Sequence, residues 1–211
     1  MEKVGKVYLV GAGPGDPGLI TVKGLKVLAK ADTVVYDYLV NTDLLSYCRE
    51  GAELIYVGKK GGHHTMSQEE INKLLVEKAL EGKIVVRLKG GDPFLFGRGG
   101  EEIEELIKHG IPYEIIPGVT SAIAVPAYAG IPVTHRNFTS ALAIITGHEA
   151  EGKEESRVDY GALAKIGTLI FLMGVKNLPY IVENLLKEGK SKDTPCAVIQ
   201  WGTTPKQKVA S

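Results

Sequence analysis

Cysteine, net charge and long apolar runs are all scarce in this 211-residue chain, and each scarcity excludes a class of protein. Lys plus Arg number 25 and Asp plus Glu number 25. There is no basic surplus to hold a nucleic-acid backbone or an anionic membrane, and only a local basic patch could serve that purpose. No stretch approaches the roughly 18 apolar residues of a membrane span; the longest, such as Leu169 to Met173, are strand-sized. Met1-Glu2-Lys3-Val4 lacks the hydrophobic region of a secretory signal, which points to the cytoplasm. Cys48 and Cys196 come without a C-x-x-C and without a His at ligand spacing. No metal site or disulfide framework is therefore expected, and both thiols are expected to be reduced. Neither an internal repeat nor a low-complexity tract occurs.

What is present is an ordinary globular composition, 44% apolar and 24% charged, in a length that allows one large domain or two small ones. Glycine stands out: 26 residues, roughly twice the usual share, clustered as shaped loops would require. Short β-rich runs at Lys6 to Val10, Thr33 to Tyr36, Glu53 to Val57, Ile84 to Leu88 and Tyr113 to Ile116 alternate with helical patterns. That alternation predicts an α/β fold with a mostly parallel sheet. Val22, Leu25, Leu28 and Ala29 share a helical face after Thr21, a fitting N-cap, and Ser67-Gln68-Glu69-Glu70 reads as a capping box. A third helix runs from Glu101 to His109, acidic at its start and with Lys108 near its end.

The stretch from Pro117 to Pro132 is rich in Gly, Ala and Pro, and the pattern changes after it. Strands at Ala141 to Thr146, Thr168 to Met173 and Cys196 to Trp201 are joined by a clear helix, Leu178 to Lys187, and a polar stretch from Glu149 to Arg157. The expected organisation is an N-terminal α/β domain over 1–118, a linker over 119–133 and a C-terminal mixed α/β domain over 134–211. The chain stops at Val209-Ala210-Ser211, where another strand begins.

In open α/β sheets ligands bind beyond the carboxyl ends of the strands. Here each strand of the first half ends in a candidate loop: Gly11 to Gly18, Asp37, Gly58 to His64, Gly90 to Pro93 followed by Gly97 to Gly100, and Pro117 to Ser121. Five such loops in succession imply one cleft. A dinucleotide fingerprint starting at Gly11 would need glycine where Asp16 stands, and Pro14 removes an N–H that a phosphate cradle would want. No G-x-x-x-x-G-K-[ST] occurs, so a phosphate-held cofactor is not expected.

Several motifs together carry a resemblance. They are G-A-G-P-G-D-P-G at Gly11 to Gly18, V-V-Y-D at Val34 to Asp37, V-G-K-K at Val57 to Lys60, L-K-G-G-D-P-F-x-F-G-R-G-G-E-E at Leu88 to Glu102 and P-G-V-T-S-A at Pro117 to Ala122. With Gly130 to Arg136, Met173-Gly174 and Gln200 to Thr204, the chain resembles the uroporphyrinogen-III C-methyltransferases of the tetrapyrrole methylase family over essentially its whole length. The resemblance implies a two-domain fold, a homodimer, and S-adenosylmethionine in the interdomain cleft, with its product S-adenosylhomocysteine. It also implies a further strand region beyond Ser211.

Matched motif by motif, the resemblance puts cofactor contacts at Pro14, Gly90, Gly91, Asp92, Leu95, Thr120, Ser121, Met173 and Gly202. It implies two successive methyl transfers, to C2 and C7 of uroporphyrinogen III, with Asp37 as base and Lys59 as proton donor. The eight carboxylates of that substrate need a local cationic wall, for which Lys60, His63, Arg98 and Arg136 are candidates, beside Lys59, His64 and Lys89. Read without the resemblance, Asp37 is as well explained as a turn residue, Asp92 as a cap or turn residue, Met173 as core packing and Tyr36 and Tyr38 as sheet residues. Two rivals stay open: a family member acting on a later corrin precursor, on diphthine or on ribosomal RNA, and a noncatalytic binding module on the same scaffold.

Overall fold

The computed structural model describes residues 4–58, 66–148 and 157–211. Two compact units divide the chain, Met1–Ser121 and Ala122–Ser211.

The first unit is built on five parallel strands: β1 (Lys6–Gly11), β2 (Thr33–Tyr36), β3 (Glu53–Tyr56), β4 (Ile84–Lys89) and β5 (Tyr113–Ile116). They lie in the order β3-β2-β4-β1-β5. Helices α1 (Val22–Leu28), α2 (Gln68–Leu80) and α3 (Gly99–Lys108) connect them. Central parallel strands are covered on both faces, so they read as continuous apolar runs instead of alternating ones. Alternation then decides which face each residue meets. Val7, Leu9, Val35 and Val85 pack with Leu75 and Ala79 of α2 and Leu106 of α3, whereas Val10, Val34, Val86 and Leu88 pack with Leu28 of α1 and Leu44. Each fully buried Leu or Val on these faces stabilises the fold by about 1.5–3 kcal/mol.

The helix signals take the expected form. Thr21 accepts a hydrogen bond from Gly24 N at 3.0 Å to cap α1. At α2 both halves of the capping box are present, Ser67 Oγ accepting from Glu70 N and Glu70 Oε2 from Ser67 N. Helix α3 starts two residues before the expected Glu101.

The second unit holds a parallel pair, β6 (Leu142–Thr146) and β7 (Thr168–Leu172), and an antiparallel pair, β8 (Val198–Gln200) and β9 (Lys208–Ala210). Helix α4 (Ser121–Tyr128) falls inside the stretch expected as linker, with Ala122 and Ala124 buried and Pro126 within it. Helix α5 (Tyr160–Ala164) follows the polar stretch, and α6 (Leu178–Lys187) stands where the apolar periodicity put it.

Candidate active site

At the carboxyl edge of the first unit's sheet the loops after β1, β4 and β5 are fused by backbone contacts. Gly13 N donates to Gly91 O at 3.3 Å and Gly91 N to Gly13 O at 2.7 Å. Gly118 backs onto both neighbouring loops so closely that a Cβ there would collide with the Gly91 carbonyl and with Gly11 Cα. Asp92 ties the arrangement together. Its Oδ2 accepts from Gly118 N at 3.0 Å, and its Oδ1 accepts from Phe94 N and Leu95 N at 2.8 and 3.2 Å. Its carboxylate thus serves three backbone N–H groups, as a cap or turn residue does.

Gly91 itself sits at φ +67, and the nearest atoms to a Cβ built on it belong to Thr120 and Ser121 at 4.0 Å. The small residue leaves open space in front of the β4 and β5 loops. Gly90 approaches Leu39 of the loop after β2, and Asn41 in that loop donates from Nδ2 to Gly15 O at 2.9 Å, which brings the Pro14 loop alongside. Thus Pro14, Gly90, Gly91, Asp92, Leu95, Thr120 and Ser121 share one edge of one sheet.

Asp37 follows directly after β2. Its Oδ1 accepts from Leu39 N at 3.1 Å, an Asx turn, while its Oδ2 accepts from Arg87 Nη2 at 3.1 Å. Arg87 is buried on β4 and its Nε donates to Glu102 Oε1 at 3.1 Å. Lys89, two residues on and thus on the same strand face, donates to the same oxygen at 2.8 Å. This corrects the reading of Lys89 as part of a substrate-facing wall: it is buried and ion-paired. Burial pushes its ammonium below the usual lysine range and the Arg87 charge adds to that, while Glu102 opposes both. Arg87 and Glu102 were missed in the sequence, although two cations at i and i+2 in a strand of otherwise Ile, Val and Leu were a signal that buried partners must exist.

Of the flanking tyrosines, Tyr36 packs edge-on against Tyr56 with ring centroids 5.5 Å apart, and Tyr38 is exposed. Arg98 is exposed and holds Glu101 with two nitrogens, Nε at 2.9 Å and Nη2 at 2.6 Å, so a substrate carboxylate would have to compete with Glu101 for it. Lys59, Lys60, His63 and His64 lie outside the described residues.

The remaining candidates belong to the second unit. Arg136 is exposed in a tight turn closed by the His135–Thr139 bridge. Met173 follows β7 in left-handed backbone at φ 58, and at 58% exposure it is not core packing. Its neighbour Gly174 abuts Gly147, whose carbonyl accepts from Asn177 Nδ2 at 2.7 Å. Gly202 sits between Trp201 and Thr203, both at positive φ, and a Cβ on it would collide with Val125.

Among the described residues no three His, Cys, Asp or Glu side chains cluster as a metal site, and no helix is long and apolar enough to cross a membrane. The edge offers backbone glycines and the hydroxyl residues Thr120 and Ser121, and among the described residues the loops after β1, β4 and β5 bring no cluster of cations to it.

A family model described as tetrapyrrole (corrin/porphyrin) methylases matches residues 6–211. A uroporphyrinogen-III C-methyltransferase of Methanocaldococcus jannaschii is 63% identical over 97% of this chain and 85% of its own length. One from Priestia megaterium is 55% identical over 99% of this chain and 87% of its own. Among solved structures, the Thermus thermophilus uroporphyrin-III C-methyl transferase complexed with S-adenosylhomocysteine superposes with a TM-score of 0.83 at 40% identity, covering 98% of this chain and 82% of that one. A cobalt precorrin-4 methyltransferase reaches 0.84 at 36% identity, covering 97% and 84%. With the family model spanning nearly every residue and relatives more than half identical along it, this chain belongs to the tetrapyrrole (corrin/porphyrin) methylase family.

Proposed function

We propose that this chain is an S-adenosylmethionine-dependent C-methyltransferase that adds methyl groups at C2 and C7 of uroporphyrinogen III to give precorrin-2. The two superpositions, 0.83 and 0.84, do not separate early from late tetrapyrrole substrates. Identity favours the early substrate: the precorrin-4 enzyme shares 36% of residues, whereas the two uroporphyrinogen-III enzymes above share 63% and 55%. The observation that carries the catalytic reading is the position of Asp37: a carboxylate held by Arg87 on the same sheet edge as the glycine loops.

S-adenosylmethionine supplies an electrophilic sulfonium methyl. Gly90, Gly91, Leu95, Thr120 and Ser121, with Pro14, hold the donor by backbone approach and hydroxyl groups, and Asp92 keeps their loops in register. Met173 and Gly202 are further donor contacts in the family pattern. As an electron-rich pyrrole carbon gains the methyl and the sulfur–methyl bond breaks, Asp37 would take the pyrrole N–H proton, one proton lost for each methyl gained. Lys59 would donate a proton to the macrocycle only as the macrocycle loses one elsewhere, so that the product stays neutral. Alignment of the reacting atoms, more than Lewis acidity, then governs the rate. Arg98, Arg136, Lys60 and His63 receive substrate carboxylates, for which the planar fork of Arg is the best match.

The protein works as a homodimer in the cytoplasm. Leu178, Val182 and Leu186, four residues apart on α6, are exposed in the single chain, and Cys48 and Cys196 are unpaired. Light scattering of the purified protein measures the first of these two statements.

The deciding assay is anaerobic incubation with S-adenosylmethionine and uroporphyrinogen III, following methyl incorporation and the visible spectrum of the oxidised product. Two methyl groups per macrocycle are expected. Donor binding without transfer would leave the noncatalytic module as the reading. Asp37→Asn should slow transfer by about 10²–10⁴-fold with donor affinity nearly intact.

A further inference from the structure

Val85, Arg87 and Lys89 of β4 point to the face covered by α2 and α3, which places two cations in the apolar interior. Charges there are tolerated only when paired and hydrogen-bonded. Their shared partner is Glu102, from the first turn of α3, whose side chain has 0% exposure. Glu102 Oε1 accepts from Arg87 Nε at 3.1 Å, from Lys89 Nζ at 2.8 Å and from Gln68 Nε2 at 3.2 Å. The guanidinium of Arg87 is held on its remaining side too, Nη1 donating to Val35 O at 3.4 Å and Leu88 O at 3.2 Å. That leaves Nη2, which reaches Asp37 Oδ2 at 3.1 Å. The four charges balance, two positive and two negative. Arg87 bridges its two carboxylates with nitrogens at different positions of one rigid plane, which a single ammonium cannot do.

We infer that Glu102 is a positioning residue for methyl transfer. Buried beyond reach of any substrate, it sets the plane of Arg87, and Arg87 sets where the Asp37 carboxylate stands. The inference rests on the reading of Asp37 as the base. Asp37 is 22% exposed and, apart from Arg87, its carboxylate is tied down only by the Leu39 N–H among the described residues. Loss of the Arg87 contact therefore frees it to turn about the Asx bond, and small misplacements of a reacting group are costly, up to about 100-fold per ångström.

The test separates positioning from charge balance. Glu102→Leu combined with Lys89→Met removes one charge of each sign and the acceptor of Arg87 Nε, and leaves the Arg87–Asp37 pair neutral. In this double variant turnover is expected to fall by about tenfold or more. The melting temperature and the affinity for S-adenosylhomocysteine, read by calorimetry, should stay near those of the parent. Full turnover in the folded double variant would overturn the inference, because Glu102 would then be charge ballast alone. If the double variant does not fold, Arg87→Lys answers the same question: it preserves every charge but cannot bridge both carboxylates, and unchanged turnover would overturn the inference as well.

Both changes are repeated in an Asp37→Asn background, where no further loss beyond about twofold is expected, since positions acting through one group are non-additive. A further tenfold loss there would mean that Glu102 acts on something else, leaving Asp37 as base intact. Parental turnover of Asp37→Asn alone would instead remove the base assignment.

Discussion

Gly13 and Gly91 exchange both of their backbone hydrogen bonds across the loops that follow β1 and β4, at 3.3 and 2.7 Å. The pair locks two loops of one sheet edge together without using a side chain. Both residues have positive φ, +79 and +67, a region that L side chains adopt at a cost. Substitution at Gly91 and at neighbouring Gly118 should therefore have opposite signatures.

At Gly91 a methyl group meets nothing nearer than 4.0 Å, so Gly91→Ala should fold. Backbone strain of about 1–2 kcal/mol predicts a melting temperature lower by about 2–8 °C for a chain of this size. The methyl would occupy the space assigned to the donor, so affinity for S-adenosylhomocysteine should fall by about tenfold or more. Calorimetry measures it, and parental affinity would move the donor away from Gly91.

Gly118→Ala should do the reverse. Its Cβ would run into backbone atoms of Gly91 and Gly11, and backbone cannot swing aside as a flexible side chain can. Overpacking of this kind costs about 1–3 kcal/mol, and the variant should lose stability before it loses anything specific. A thermal melt identical to the parent's would show that the three loops are not packed as described.

The parallel sheet was legible because β1 to β5 are apolar runs punctuated by Gly, Pro and Asp, a pattern that local chemistry alone produces. Helix α4 was not. Ser121 to Tyr128 mixes Ala with β-branched Ile123 and Val125 and carries Pro126 inside, beside glycine-rich neighbours, so no helical period shows; Ala122 and Ala124 are buried in the helix that forms. Helix α5 is five residues long and announced by a single cap, Asp159, too little periodicity to detect beside a polar stretch. The edge loops of the site were visible as motifs, but the network behind them was not. Linking Arg87 to Glu102 requires knowing that α3 covers the face to which odd residues of β4 point, and that is tertiary information.

Asp92 offers a sharper check of the site's frame. In Asp92→Asn one side-chain oxygen is retained, so either Gly118 N or the Phe94 and Leu95 pair is served while a new NH₂ group faces the remaining N–H donors. With Gly118 N held by Oδ2 and Phe94 and Leu95 N by Oδ1, no amide orientation satisfies all three. The expected cost is about 1–3 kcal/mol, with a raised KM for the donor and little change in kcat. A denaturant titration with parental midpoint and slope would exclude the cross-tie.

Acid stability depends on a different carboxylate, far from chemistry. Glu114 on β5 is flanked by Lys23 and Lys6, with Lys6 Nζ at 2.7 Å from its Oε2. The Lys23 hydrogen bond, followed by that of Lys6, holds its carboxyl at about 2 against an ordinary 4.5. A depressed carboxyl binds fewer protons folded than unfolded, so its contribution is fully present above about pH 4.5 and is lost as pH falls towards 2. Glu114→Gln abolishes that dependence. Melting temperatures of parent and variant should thus differ at neutral pH and converge across this window, whereas parallel curves would mean that the two lysines leave Glu114 unperturbed. The contrast also tests the donor site's independence, because affinity for S-adenosylhomocysteine at neutral pH should be the same in both proteins.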